Sequence, residues 1–397
     1  VTDYLPDGVY LGLPAADYFA QGRMGSSDWI RIQKTGAGWW WGSHHNPDRV
    51  EKTSKAMMYG SALHAIMLEG VPAYEAMFAV EPDPRDYIGL VTSIPEIKAA
   101  LEGAGFSLAG TSKWAKPDWC AEVAAKLPDV PCWANLYEDF EARIGRRSVI
   151  TAVEDRTLRF MHRVATDPTR PDNAAVRKLL IDSEDHPALA EVTVLATVDG
   201  IRRRWRMDRM YPGITMDLKS VGQWRGRPLA YEVGQVLAQN CWDLQMSDYF
   251  IGRTEAYRLI REGKLFGGTL EQRHYIEQIV EENPTWDWVW LTYGKPETTG
   301  SAPVLLPLWA DSWAPADPYK PDDPPRPTDL RQYGLNKLNR AIAFYRRMVA
   351  EFGLDRPWAH VEDLHFVDAD RQPQVHMPHW VQDDEPTSPD AYAEDSE

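Results

Sequence analysis

Cysteine is scarce in this chain: three in 397 residues, at Cys120, Cys132 and Cys241, with no Cys-x-x-Cys pair. That excludes a disulfide framework, and a four-cysteine iron–sulfur centre cannot be built within one chain. The scarcity fits a reducing compartment, so the expected location is cytoplasmic. No apolar run reaches the length of a transmembrane helix. The opening VTDYLPDGVYLGLPAADY lacks a basic-then-apolar signal pattern. Positive charge is also in short supply, with 43 Lys and Arg against 59 Asp and Glu and a net charge of −16. This argues against a broad basic surface for nucleic acid. Seven of the acids (Asp383, Asp384, Glu385, Asp390, Glu394, Asp395, Glu397) lie in the last 15 residues, and without them the balance is still −9. The run from 383 is expected to be disordered. Its simplest role is solubilising; partner docking and DNA mimicry are the alternatives.

Tryptophan, by contrast, is plentiful, 17 in all, with clusters at Trp39, Trp40, Trp41 and at Trp286, Trp288, Trp290. Core packing is the simplest reading, and base stacking on an exposed ring the alternative. The length allows two or three domains or one decorated core. Residues 1–50 are expected to hold short helices and loops. The stretch 54–70 has helical spacing at Met58, Ala62, Ala65, Ile66 and Leu68, with Gly70 as its stop. Helical segments and loops follow to 150. Helix is expected over 151–182, interrupted around Pro168 and Pro171, and again from Tyr231 to Arg261. Strands are expected at 272–280 and 286–293, a loop over the Pro- and Asp-rich stretch 311–330, and an amphipathic helix over 328–352 with Thr328 as N-cap. There is no internal repeat.

The densest signal lies between 191 and 221. Glu191–Val198 alternates like a strand and is followed by Asp199-Gly200, a pair that favours two-residue hairpins. A turn centred there sets Glu191 opposite Asp208. A second turn centred on Pro212-Gly213 sets Asp208 opposite Asp217. Three carboxylates then share one face, with Lys219 two residues beyond on the same side. Like charges directly opposite are destabilising, so the row calls for a cation. A hard divalent ion with oxygen ligands is the natural choice, and with a lysine beside it the group reads as metal-assisted phosphodiester hydrolysis. The bland reading is a strand with scattered surface charge. Arg204, Arg206 and Arg209 surround Asp208, and Arg225 and Arg227 follow Lys219; they are candidate phosphate contacts, or pair with nearby acids on a solvated face. Two further pairs sit one helical turn apart: Gly60 with His64, and Gln245 with Tyr249. His64 is a candidate ligand or a satisfied core histidine. Gln245 and Tyr249 could reach a phosphate, or simply bond to each other.

Taken together, Gly60-x-x-x-His64, Glu191, Asp208, Asp217-x-Lys219 and Gln245-x-x-x-Tyr249 resemble the RecB-type branch of the PD-(D/E)xK nucleases. Within it the chain is similar to the exonuclease VIII (RecE-like) proteins of phages and prophages. The likeness takes in GVYLGLPAADYF, YGSALHAIMLEG, AEVTV…VDGIRRRWRMDRM…MDLKS and QMSDYF, and ends near VHMPHW.

The resemblance implies an α/β fold with a mixed sheet and helical elaborations at both ends. It implies one nuclease domain over 1–382: an N-terminal region with the histidine (1–150), a catalytic core (151–310), a Pro/Asp-rich loop (311–327) and a C-terminal helix with packing segment (328–382). It implies Mg²⁺, with Mn²⁺ as a substitute. Asp208 and Asp217 are the main ligands, the Leu218 carbonyl a third, His64 a further one, and Glu191 a ligand to a second ion or its water. Lys219 positions the nucleophile, while Gln245 and Tyr249 orient the phosphate or the lysine. The implied activity is 5′→3′ degradation of linear duplex DNA in a bacterial or phage-infected cell. The implied partners are a strand-annealing recombinase and further copies of the chain in a ring.

Overall fold

The computed structural model describes residues 4–50, 54–181, 189–222, 229–283, 285–295, 304–309 and 330–358. The expected loop at 311–327, the N-cap at Thr328, the acidic tail, and Arg225 and Arg227 lie outside them.

The chain opens with β1 (Gly8–Leu11) and three helices, α1 (Ala15–Phe19), α2 (Ser26–Thr35) and α3 (Gly38–Gly42). Next comes α4 (Lys55–His64), whose start is capped by the Ser54 side chain accepting from the Met57 N–H. It continues as a π-helical turn, Ala65–Glu69, and stops at Gly70 with φ 87°, as expected for a glycine. Then follow α5 (Val71–Met77), β2 (Phe78–Val80), α6 (Ile94–Gly103), α7 (Lys116–Lys126), α8 (Trp133–Ile144) and β3 (Ser148–Ile150). Helices α6 to α8 close a small core of their own around Trp119, Val123 and Ile97. α9 (Ala152–Thr166) and α10 (Ala174–Leu180) flank the interruption expected near Pro168 and Pro171.

The meander is β4 (Leu189–Val198), β5 (Ile201–Tyr211) and β6 (Ile214–Gly222). Asp199 and Gly200 both take positive φ, 50° and 79°, as a tight hairpin requires. After it come α11 (Leu229–Asn240), α12 (Trp242–Arg261), β7 (Leu265–Gly267), α13 (Leu270–Glu282), β8 (Asp287–Lys295), β9 (Val304–Trp309) and α14 (Leu330–Phe352).

The fold is mixed α/β. Its main sheet has seven strands in the order β7-β1-β4-β5-β6-β8-β9. β1 with β7 and β6 with β8 run parallel, and the other neighbours are antiparallel. Helices cover both faces, so β8 is apolar on each: Trp288 and Trp290 enter one core, with α11 to α13, while Val289, Leu291 and Tyr293 enter the other, with α4, α9 and α10. A third cluster packs Trp29, Trp39, Trp40 and Trp358 among α2, α3 and α14. The tryptophan clusters are therefore mainly core; Trp41, 55% exposed, is an exception.

Three expectations need correction. Residues 272–280 are helix, not strand: Ile276, Ile279 and Val280 are buried at helical spacing, and Thr269 caps α13 in a reciprocal pair with Gln272. The helix expected over 231–261 breaks at Cys241, which takes a left-handed conformation with φ 53°. Finally, the flat row of acids is bent. The pairings Ala190↔Arg209 and Val192↔Met207 do hold the register that sets Glu191 opposite Asp208. Yet Leu189 and Val192 enter the same core, as do Met207 and Met210, so the in–out alternation slips by one residue on both strands. Glu191, with φ 55°, is where β4 turns over.

Candidate metal and hydrolysis site

The slip opens the sheet locally. β5 and β6 pair as expected at Arg209↔Met216, which places Asp217 next in register opposite Asp208. There the ladder gives way: an Asp208 carboxylate oxygen accepts the Leu218 N–H at 2.7 Å in place of a backbone carbonyl. The α4 helix packs over this gap, and His64 stands at its end, where the π turn begins. His64 Nε2 lies 3.0 Å from the Leu218 carbonyl oxygen, and Nδ1 lies 3.6 Å from Asp208 Oδ2. One ligand atom each from His64, Glu191 and Asp208 fall within 4.8 Å of one another.

Asp217 stands beside this cluster rather than in it. Both its oxygens face Lys219 Nζ, at 2.9 and 2.7 Å, and Gln245 Nε2 donates to Oδ1 at 3.3 Å. Asp217, expected as a main ligand, lies here in a charge-and-amide clamp with the lysine. Tyr249 is buried, and its hydroxyl donates to the Arg206 carbonyl at 2.9 Å. It braces β5 against α12 and does not bond to Gln245 or to the lysine.

Electrostatics mark the same spot. Burial, with Asp208 adding to it, pushes the Glu191 carboxyl up to about 7 against the pull of Arg206. Burial likewise pushes Asp217 up to about 6, although Lys219 opposes it. Burial raises the Tyr249 hydroxyl as well. Two carboxylates that resist ionisation beside a third acid and a histidine make a site short of positive charge. The donor set, an imidazole nitrogen, two carboxylates and the Leu218 carbonyl, suits a hard divalent cation. The residues present therefore fit the ion they were expected to hold.

The arginines tell a different story from the one expected. Arg209 is buried and donates to the Leu68 carbonyl at 2.9 Å, satisfying the end of the π turn; it cannot reach a phosphate from there. Arg204 donates to the carbonyls of Tyr18 and Phe19. Arg206 donates to the Leu13 carbonyl at 2.6 Å and lies 3.4 Å from Glu191. These two tie the N-terminal segment to the sheet.

Sequence reasoning missed two supports of the site. The hydroxyls of Tyr59 and Tyr293 meet at 2.9 Å in the core and pin α4 to β8. Arg253, fully buried, donates to Thr215 Oγ1 and the Tyr211 carbonyl, both at 2.7 Å, and fastens the turn between β5 and β6. Neither carried a signal in the sequence, because each pairs residues far apart along the chain or on separate elements.

No protein-family model and no curated protein matches the chain. Among solved structures it is similar to a crystal structure from Eubacterium rectale named "Putative exonuclease". The likeness covers 94% of this chain and 98% of that one, at 10% sequence identity and a TM-score of 0.34. At those values it carries no residue correspondence.

Proposed function

We propose that this protein is a metal-dependent deoxyribonuclease of the PD-(D/E)xK type, acting as a 5′→3′ exonuclease on linear duplex DNA. The observation that carries the reading is the convergence of His64, Glu191 and Asp208 at the split between β5 and β6, with Lys219 held alongside. The direction of attack, the duplex substrate and delivery of the 3′ strand to an annealing recombinase come from the motif resemblance. So does assembly into a ring.

His64, Asp208, Glu191 and the Leu218 carbonyl would hold Mg²⁺, or Mn²⁺ in its place. When bound, the ion supplies positive charge to the scissile phosphate and to the attacking oxygen. Lys219, fixed by Asp217, presents its ammonium group to the same phosphate and orients the water that adds to phosphorus as one ester bond breaks. Gln245 keeps the Asp217 carboxylate turned toward the lysine. Arg206 balances Glu191 and holds the N-terminal segment beside the reacting group.

The test follows a linear duplex labelled separately at its 5′ and 3′ ends, with Mg²⁺ or with chelator, beside Asp208→Asn. Mg²⁺-dependent early release of the 5′ label, lost in the variant, is the expected result. Early release of the 3′ label would reverse the polarity. Duplex bound but intact under every metal would point instead to a non-catalytic DNA-end module, a reading that the acidic balance of the chain favours. Cleavage confined to single-stranded, flap or RNA substrates would keep the chemistry and change the substrate.

A further inference from the structure

Along β5 the residues Arg202, Arg204 and Arg206 project from the same side of the strand, about 6.6 Å apart. Arg206 closes this strip against Glu191, so it leads into the carboxylate cluster. The N-terminal segment lays aromatic rings on it. The Arg202 guanidinium sits 4.2 Å from the Tyr4 ring centre, and Arg204 sits 5.3 Å from that of Phe19 and 4.9 Å from that of Tyr18. Tyr18 is buried, but Tyr4 is 50% and Phe19 66% exposed. Among the described residues, Arg202 has no hydrogen bond or ion pair and keeps its donors free.

What sets these exposed rings apart is their pairing with arginines along one strand. Two large rings stand open to solvent, each backed by an arginine that fixes its orientation. The rings offer flat apolar faces, and the Arg202 guanidinium offers charge for a phosphate. Consecutive aromatic and cationic groups at a strand repeat match a polymer of alternating base and phosphate whose bases are unstacked. A paired duplex keeps its base faces covered and has no use for the rings.

We propose that Tyr4–Arg202 and Phe19–Arg204 are two stacking platforms for an unpaired nucleic-acid strand running toward the carboxylate cluster. The direction of that strand rests on the nuclease reading; the platforms themselves do not. Arg204 stands four residues from Asp208, about 13 Å, so the base on Phe19 lies a few nucleotides from the reacting phosphate.

The experiment is fluorescence anisotropy with labelled oligothymidylate and with a blunt duplex, on the full chain in chelator so that nothing is cut. Phe19→Ala is expected to lose at least about fivefold in single-strand affinity, the equivalent of roughly 1 kcal/mol for one stacked base, and to keep its duplex affinity. Phe19→Trp restores binding. Arg202→Gln flattens the log–log salt dependence for the single strand by about 0.7. Because Phe19 and Arg202 lie at the surface, an unchanged thermal midpoint confirms that these variants fold. Single-strand binding equal to wild type in both Phe19→Ala and Tyr4→Ala would overturn the proposal, as would a wild-type chain that binds no single strand. Cleavage is scored separately with Mg²⁺. A chain that stacks the strand and cuts nothing sinks the nuclease reading alone; one that cuts while Phe19→Ala and Tyr4→Ala both bind normally sinks the platforms alone.

Discussion

Glu191 and Asp217 are held where a carboxylate is hard to ionise, with folded values of about 7 and about 6 against ordinary values of 4.5 and 3.8. Both are raised, so the folded state favours their protonated forms. The stability they contribute is present below pH 4 and is lost as pH climbs through 6 to 7. In chelator, Glu191→Gln should therefore melt above wild type at pH 8, and the gap should close by pH 4. Thermal scans across that range check it, and a gap independent of pH would show that folding leaves the Glu191 carboxyl at its ordinary value. Adding Mg²⁺ should raise the wild-type midpoint more at pH 8 than at pH 5, because protons compete for the same oxygens. Lys219 makes a separate claim. Lys219→Ala should lower turnover by at least about 10²-fold, the usual loss when one charge-stabilising donor is removed. Near-normal turnover in a folded Lys219→Ala preparation would remove the lysine from the chemistry. Asp217→Asn should also lose turnover, by releasing the lysine.

At the scale of elements, the meander was largely legible because its turns are written in the sequence. Asp199-Gly200 and Pro212-Gly213 fix where the strands reverse, and the register through Arg209↔Met216 follows by counting. What counting cannot show is one residue of unusual backbone. The positive φ of Glu191 turns the strand over beside the carboxylate cluster. The misreading of 272–280 has a similar origin: Tyr275, Ile276, Ile279 and Val280 have strand propensity, and only burial at helical spacing decides against it. The short strands β1 and β7 went unseen because three or four residues carry too little pattern; each is stabilised by its neighbour in the sheet. Close packing of α12 on β5 is another feature outside local reach. A Cβ at Gly252 would stand 2.5 Å from the Trp205 ring, which is fully buried. Gly252→Ala should destabilise by about 1–3 kcal/mol through overpacking. Because α12 also carries Gln245, turnover should fall with it. Denaturant unfolding measures the first effect, and a variant as stable as wild type would show that helix and strand can part at no cost.

At the scale of the whole molecule, the proposed function asks an acidic protein to handle a polyanion. The net charge is −16, and seven of the acids lie in the last 15 residues. At physiological salt, exposed charges are screened over about 8 Å, so a solubilising tail acts weakly on DNA bound elsewhere. Strand binding then depends on the local arginines of β5 and on the cation, not on the overall balance. Removing residues 383–397 should accordingly leave DNA affinity within about twofold at 0.15 M salt, with a modest gain appearing only as salt is lowered and the Debye length grows. Anisotropy titrations of the truncated and full chains at two salt concentrations separate the possibilities. A gain of tenfold or more at 0.15 M would mean that the tail occupies the nucleic-acid site as a mimic, since screened long-range repulsion is too weak to produce it.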